Sequence, residues 1–387
     1  MSAATVTKRD LGRPRRPDGA LRTGRMRSAC SGPTPVADRM PAAARDRQVA
    51  ANYALTVSDH EVEALLDAAG YSDDGPGVAV AVRRPDGATM TAARGRAGPH
   101  RPFTPATVSY TAAVSKQIVG ACVARAVLDG TLDTRVPLRR WLRYLPPWAD
   151  EVKIRHLVHH TSGLPADAWL SQRIASWRAC RWDGPAVLRA LSTCPRLEFP
   201  PGSQFRYRNA NYIALAALVE RIVGDLTRFA ERQLFAPLQM ASTTLWRTAG
   251  ALPTESAPGH PTDDEMGAWP LPLSVGDGGL WSTVEDLHRW NVAVLPGGAL
   301  DDRLRSLLHV PGRLDDGRQI DYAWGVRVSR DDAGRLIHSH GGSWPGGWTA
   351  TTIRLPAVGL AVAALSNSGD MTAMATLTDG LVARYAS

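Results

Sequence analysis

Short apolar runs of strand type lie near both ends of the chain, and a longer stretch of mainly helical pattern separates them. Residues 78–83 are rich in Val and Ala, and residues 85–87 (Pro-Asp-Gly) are typical of a turn. Together they predict a hairpin whose second strand is 88–94. Four further β-type runs lie between Gly, Pro and Asp signals near the C-terminus. They are 323–329, 336–340, 348–354 and 359–365.

Helical periodicity dominates the middle of the chain and also appears at its two edges. Ser58 and Glu61 form a capping box before a first helix, and apolar residues recur at helical spacing in 116–128, 212–222 and 376–385. A sheet built from both chain ends is the economical arrangement. We therefore predict an α/β (α+β) fold. Its antiparallel sheet comes from 75–95 and 320–366, it is flanked by helices, and it carries a mostly helical insertion at about 130–320.

The net charge of +8 is concentrated in one segment. Residues 1–50 hold 11 Lys and Arg against 4 Asp, so seven of the eight net positive charges lie there. This segment lacks apolar periodicity, so we predict a disordered basic tail over 1–54 and one domain over 55–387. Because the domain is nearly neutral, no nucleic-acid partner is expected. No apolar stretch suits a membrane span or a signal peptide, so no membrane partner and a cytoplasmic location are expected.

One lysine stands out at the start of the helix predicted from residue 116. The chain has only three lysines, Lys8, Lys116 and Lys153, against 42 arginines. An arginine would serve as a surface charge, whereas proton transfer needs an amine whose pKa can be lowered. Lys116 therefore favours a reactive site, and the alternative is a solvated lysine at a helix start.

A hydroxyl three residues before such a lysine would share its helix face, so that the amine could accept the hydroxyl proton. Ala113 occupies that position. Ser115 points about 100° away around the helix, and Ser109 and Thr111 precede the helix. None of these three hydroxyls stands three residues before Lys116.

Two further segments carry groups that suit acyl chemistry. Tyr207 offers a phenol that can relay a proton if a neighbouring ammonium lowers its pKa, and Asn209 offers an amide that donates and accepts hydrogen bonds. His340 is followed by two glycines, which let a strand edge lie flush against a substrate so that backbone N–H groups reach its carbonyl. Taken alone, Tyr207 and Asn209 could instead be turn residues before a helix that starts near residue 211.

A histidine pair raises the question of a metal. His338 and His340 alternate along a predicted strand and would face the same side, as two zinc ligands could. No third ligand stands at a recognisable spacing. We therefore expect no metal and no other cofactor.

These segments follow one another as they do in a known family. From about residue 55 onward, the chain resembles the serine hydrolases that include class C β-lactamases, D-alanyl-D-alanine carboxypeptidases and related esterases. Ala113 stands where that family keeps its nucleophilic serine. Four further stretches carry the likeness. They are 157–165 (Leu-Val-His-His-Thr-Ser-Gly-Leu-Pro), 199–209 with its Pro-Gly and Tyr-x-Asn, 237–240 (Pro-Leu-Gln-Met) and 278–287 with its Gly-Gly-Leu.

The resemblance implies a β-lactamase/transpeptidase-like fold and a function for each matched position. The implied catalytic positions are 113, Lys116 and Tyr207, with Ala113 marking the missing serine. The amides of Ala113 and Ser343 would form the oxyanion hole, which needs no serine side chain. The implied substrate-binding residues are Asn209, His340, Gly342 and Ser343.

Two functions remain open at this point. The first is a hydrolase of the family for β-lactam, D-amino-acid peptide or small ester substrates, impaired because the serine is absent. The second is a pseudoenzyme that binds an acyl or D-amino-acid peptide ligand, as a binding or regulatory module, without turning it over. Loss of the nucleophile in a serine protease lowers kcat by on the order of 10⁶, so the chemistry favours binding over turnover. Either way, the expected partner is a small acyl, ester or peptide ligand.

Overall fold

The computed structural model describes residues 55–57, 60–177, 181–248, 251–260 and 272–386. All of them belong to one compact unit. The basic tail predicted for residues 1–54 and Ser58 of the predicted capping box lie outside the described residues. In chain order, the strands are β1 Leu55–Val57, β2 Val78–Arg83, β3 Thr89–Arg94, β4 Arg96–Gly98, β5 Arg101–Pro102, β6 Ser109–Tyr110, β7 Thr244–Leu245, β8 Leu280–Ser282, β9 Arg327–Arg330, β10 Leu336–Trp344, β11 Trp348–Leu355 and β12 Leu360–Ser366.

Ten α-helices accompany these strands in the described part of the chain, most of them between β6 and β9. A 3-10 turn, Ala112–Ser115, leads directly into the second helix. The helices are α1 His60–Ala68, α2 Lys116–Leu128, α3 Ile154–Val158, α4 Asp167–Ala175, α5 Gly184–Ser192, α6 Asn209–Val223, α7 Leu226–Ala230, α8 Val284–Ala293, α9 Asp302–Leu308 and α10 Met371–Tyr385.

Both ends of the chain build one seven-stranded sheet in the order β1-β3-β2-β12-β11-β10-β9. The central pair joins the two ends directly, with Val362 opposite Val82. All neighbours are antiparallel except β1 and β3, which are parallel. The prediction of one mainly antiparallel sheet from 78–94 and 323–365 is confirmed, and the fold class is as predicted. The short parallel strand β1 was not predicted.

Both faces of the sheet are buried, and successive side chains of β2 point alternately into two different parts of the core. Val78, Val80 and Val82 pack with α1 and α10 on one face, whereas Ala79 and Ala81 belong to the core that includes α8 and the helical insertion. Burial of apolar surface on both faces is the main stabilising contribution to such a sheet. The alanines leave room for helix backbones to approach closely.

Three predicted boundaries differ from the structure for local reasons. The strand predicted over 323–329 begins only at Arg327, because Gly325 turns the chain with a φ of +89°. A Cβ there would lie 2.4 Å from the carbonyl oxygen of Lys116, so the position needs glycine. Strand β10 runs to Trp344, four residues past the predicted end. Helix α10 begins at Met371, where Asp370 caps its first turn, rather than at 376.

A small second sheet positions the start of α2. Strands β6, β8 and β7 pair in that order, and the 3-10 turn follows β6 immediately. None of the helices in the described ranges combines the length and apolarity that crossing a bilayer requires.

Candidate active site

The turn before α2 holds position 113 in a strained local backbone. Ala112 has a φ of +45°, a conformation that L-residues rarely adopt and that costs of order 1–3 kcal/mol. Thr111 anchors the turn, since both its backbone N–H and its hydroxyl donate to the carbonyl of Leu280 in β8. The strain and the anchor together fix where Ala113 stands relative to α2.

Strand β10 lies directly against this turn because of one glycine. A Cβ added to Gly342 would lie 2.4 Å from the amide nitrogen of Ala113 and 3.0 Å from the Cβ of Ala112. Only a residue without a side chain permits this approach. Ser343 follows as an exposed residue of β10, opposite Thr349. The edge of β10 therefore lies against position 113, while the predicted contact of this edge with a substrate stays a prediction.

Lys116 is completely buried, so it is not a solvated lysine at a helix start. Its Nζ donates to Oδ1 of Asn209 at 2.9 Å and to the carbonyl of Asp277 at 2.9 Å, and it lies 5.0 Å from the ring centre of Tyr207. Burial lowers the pKa of Lys116 to about 8, against the opposing effect of the Asp277 and Asp167 carboxylates. The amine can therefore exchange protons near neutral pH.

Asn209 connects Lys116 to a carboxylate. It is the first residue of α6, two residues before the predicted start. Its Nδ2 donates to Oδ2 of Asp167 at 2.9 Å, and its backbone N–H donates to Oδ1 of the same side chain at 3.2 Å. With its amide group held in this way, Oδ1 of Asn209 faces the lysine.

Tyr207 and His340 lie beside Lys116, with ring centres 6.1 Å apart. Burial raises the pKa of Tyr207 well above its usual value, and Asp277 adds to this effect while Arg327 opposes it. A lowered pKa was the condition for proton relay by this phenol, and it is not met, because desolvation outweighs the charges. The phenol is protonated at neutral pH and can act as a hydrogen-bond donor.

His340 is held as a neutral imidazole. Burial and the charge of Lys116 lower the pKa of His340 to about 3. Its Nδ1 lies 2.9 Å from the carbonyl of Gly341, which can only accept, and its Nε2 lies 3.2 Å from the hydroxyl of Tyr322. The proton therefore sits on Nδ1, and Nε2 accepts from the phenol.

The other hydroxyls near position 113 do not take the place of the serine. Ser115 and Ser109 are both fully buried, and neither Oγ has a hydrogen-bond partner among the described residues, whereas the hydroxyl of Thr111 donates to a backbone carbonyl. None of the three makes a hydrogen bond with Lys116.

Several residues of the site were not singled out from the sequence. His160 stacks near Tyr207 with ring centres 4.4 Å apart, and the guanidinium of Arg327 lies 5.7 Å from the same ring. Arg327 has no carboxylate partner in the part of the chain that the structure describes. Asp167 and Asp277 complete the surroundings of Lys116. Of these residues, only Arg327 carried a sequence signal, because a charged residue within the predicted strand 323–329 is unusual and could have indicated a site.

The histidine pair does not form a metal site with the residues described. His338 stacks on His309 with ring centres 4.2 Å apart, while His340 pairs with Tyr322. Within the described ranges, no group of three or more His, Cys, Asp or Glu side chains could hold a metal ion.

Comparison with known proteins places this geometry in a family. The sequence model of the beta-lactamase family matches residues 62–387. The chain belongs to the beta-lactamase family. The resemblance inferred from its motifs is thus confirmed at the level of the family.

Curated relatives of this beta-lactamase family member include a penicillin-binding protein and a D-aminopeptidase. A penicillin-binding protein of Bacillus subtilis is 26% identical over 64% of the chain and 58% of its own length. A D-aminopeptidase of Gluconobacter oxydans is 25% identical over 79% of the chain and 58% of its own length. The chain thus spans a little over half the length of these two relatives.

Solved structures agree on the fold of this family member. A penicillin-binding protein from Bacillus halodurans superposes with a TM-score of 0.71 at 22% identity, covering 84% of the chain and 100% of that protein. The D-amino acid amidase from Ochrobactrum anthropi SV3 gives a TM-score of 0.66 at 23% identity, covering 84% and 98%. At these identities the likeness shows a shared fold and nothing finer.

Proposed function

We propose that this beta-lactamase family member is catalytically impaired and binds an acyl, ester or peptide ligand in the cleft beside Lys116 without forming an acyl-enzyme. The observation that carries the proposal is the methyl group of Ala113. It stands three residues before a buried lysine, where the resemblance expects the attacking oxygen, and an alanine offers no atom that can attack a carbonyl.

The rest of the cleft supports binding. Lys116 is held by Asn209 and the Asp277 carbonyl, and Gly342 keeps the β10 edge against the turn. By the resemblance, the backbone N–H groups of positions 113 and 343 would serve a carbonyl oxygen whatever their side chains are. A ligand carbonyl between these two N–H groups would still accept their hydrogen bonds, although no acyl-enzyme can form.

The class of ligand is proposed from the relatives and from charge. A D-aminopeptidase and a penicillin-binding protein are among the relatives, so a D-amino-acid peptide or amide is the first ligand to test. Arg327, which lies near Tyr207 without a carboxylate partner in the described residues, offers a site for an anionic group such as a peptide carboxylate.

The proposal predicts little or no turnover. Removing the nucleophile of a serine protease lowers kcat by on the order of 10⁶ and leaves only the rate that positioning and oxyanion stabilisation supply. The buried Oγ atoms of Ser109 and Ser115 do not restore it, since neither makes a hydrogen bond with the base.

Restoring one oxygen tests the proposal. Ala113→Ser should show a burst and then turnover of a chromogenic ester or a chromogenic cephalosporin, because the base and the amides are already placed. The unaltered chain should show neither, and Ala113→Ser/Lys116→Ala serves as the control. Equal turnover by the unaltered chain and the Ala113→Ser variant would overturn the proposal. Failure of the variant to acylate would mean that the rest of the site is also inactive.

A further inference from the structure

A stacked pair of histidines joins the end of α9 to strand β10. His309 follows the last residue of α9, and its ring stacks on that of His338 with the ring centres 4.2 Å apart and the planes 6° from parallel. Nε2 of His309 and Nδ1 of His338 are both buried and have no hydrogen-bond partner among the described residues. The two rings thus meet in a place that gives these nitrogens no polar partner.

A buried guanidinium lies on the same side of the sheet. Arg354 in β11 stands directly opposite His338 in β10, so that their side chains share one face. Arg354 is 1% exposed, and it lines a small cavity together with His309. It donates to the side-chain oxygens of Gln117 and Asn291, which are uncharged, and no carboxylate pairs with it in the ranges that the structure describes. A positive charge that no paired acid offsets therefore lies near both rings.

Burial and nearby positive charges keep both rings neutral. Burial is the largest cause at His309, and Arg354, His338 and Arg305 add to it, so that the pKa of His309 falls to about 2. A backbone hydrogen bond at Arg305 opposes this effect, and the guanidinium of Arg305 forms an ion pair with Asp302. Burial, followed by the charge of Arg354, lowers the pKa of His338 to about 4. The side chains that act on the rings are cations, so protonating either ring adds like charge to the cluster.

We infer that the contact between His309 and His338 is acid-sensitive, and that protonation of the two rings separates the end of α9 from β10. Two imidazolium rings 4.2 Å apart beside a buried guanidinium would repel one another strongly, because little water is present to screen them. Once the rings separate, water can solvate both charges. Because Gly342 of β10 lies against position 113, the contact connects the pH of the surroundings with the strand beside the cleft.

The stacked and the separated form differ in the number of protons that they bind. A histidine in the separated form has a pKa of about 6.5, so that form binds more protons than the stacked form as the pH falls below this value. The contact is therefore fully stabilising above about pH 6.5 and is lost progressively as the pH falls toward about 4, where His338 is protonated in place. Between pH 7.5 and pH 5.0 each histidine should raise the equilibrium constant for separation about 30-fold.

Hydrogen–deuterium exchange of the full chain at pH 7.5 and pH 5.0, corrected for the intrinsic pH dependence of exchange, tests this inference. Exchange in 302–310 and 336–344 should rise by about 30-fold for each histidine in the unaltered chain, whereas exchange in α10 should hardly change. In His309→Phe/His338→Phe, which keeps two rings that can stack but cannot be protonated, the rise should disappear. His100→Phe, the same change at an exposed turn, should keep the rise.

Other histidines also have lowered pKa values, so the variants decide the outcome rather than the acid effect alone. They are His156, His159, His160, His288 and His340. If the double variant fails to fold, which circular dichroism will show, the single variant His309→Phe should reduce the rise by the factor of about 30 that one histidine contributes. A rise in 302–310 and 336–344 that persists unchanged in these variants overturns the inference, and so does the absence of any rise in the unaltered chain.

Discussion

Two buried cations lie at the beginning of α2, Lys116 as its first residue and Arg354 against Gln117, yet their surroundings differ. Lys116 lies beside Asn209 and within the field of two carboxylates. Arg354 in β11 donates to Oε1 of Gln117 and to Oδ1 of Asn291, both at 2.8 Å, and no carboxylate accompanies it in the described part of the chain. Burial alone lowers the pKa of Arg354 to about 9.

These surroundings suit the Lys116 amine to proton transfer and the Arg354 guanidinium to stabilising the fold. Burial brings the pKa of Lys116 down to about 8, against the opposing effect of the nearby acids, so this amine can titrate close to neutral pH. The neutral amides around Arg354 keep a charged guanidinium in place, and it ties α2 and α8 to β11. Lys116 thus belongs to the proposed ligand site, whereas its neighbour Gln117 belongs to the core around Arg354.

The largest expected effect comes from removing the base in a chain that has regained its nucleophile. Ala113→Ser/Lys116→Ala should acylate about 10²–10⁴-fold more slowly than Ala113→Ser, because general base catalysis is lost. Ala113→Ser/Lys153→Ala is the matched control among the three lysines and should acylate normally. The rate of labelling by a fluorescent penicillin measures this. Equal rates with and without Lys116 would contradict its assignment as the base.

A smaller loss of acylation rate is expected when a side chain is added at Gly342, where β10 lies against the turn. In Ala113→Ser/Gly342→Ala the new Cβ would lie 2.4 Å from the amide nitrogen of residue 113, so the strand must move. Displacing one donor of an oxyanion hole typically lowers kcat by about 10²–10³-fold. Stopped-flow acylation should show this loss, with Ala113→Ser/Gly98→Ala, where an added Cβ meets no atom within 4 Å, as the control for a glycine change. Normal acylation would place the oxyanion hole elsewhere.

The pH dependence of the restored reaction should follow Lys116. Its pKa in the folded chain is about 8, and only the deprotonated amine accepts the hydroxyl proton. Acylation of Ala113→Ser should therefore fall about tenfold for each pH unit below 8 and level off above it. A profile that stays flat between pH 6 and pH 9 would show that this amine is not the base.

The smallest effect on labelling is expected at the second cation. Ala113→Ser/Arg354→Met should acylate at the rate of Ala113→Ser but unfold more easily, by about 1–3 kcal/mol, because Oδ1 of Asn291 loses its donor. Chemical denaturation measures the loss, and Arg143→Met at an exposed position is the control. Unchanged stability with impaired acylation would contradict the division between the two cations.

The sheet could be predicted because period-two patterns and turn residues are local signals. The positions of Lys116, Tyr207 and His340 followed from motifs, and the structure brings these side chains together, while their catalytic functions stay predictions. Asp277 could not be placed in the site from the sequence. Its carbonyl accepts a hydrogen bond from Lys116, which is 161 positions away, and a backbone carbonyl leaves no signal in the sequence. Arg354 ends the predicted run 348–354, and its burial could not be predicted because its partners Gln117 and Asn291 lie far away in the sequence.

Intact-mass measurement after incubation with a fluorophosphonate probe tests the central claim most directly. The unaltered chain should keep its mass, because no oxygen stands at position 113, whereas Ala113→Ser should gain the mass of one probe molecule per chain. Peptide mapping should place that adduct at position 113. A stoichiometric adduct on the unaltered chain would contradict the account, since it would show that another side chain serves as the nucleophile.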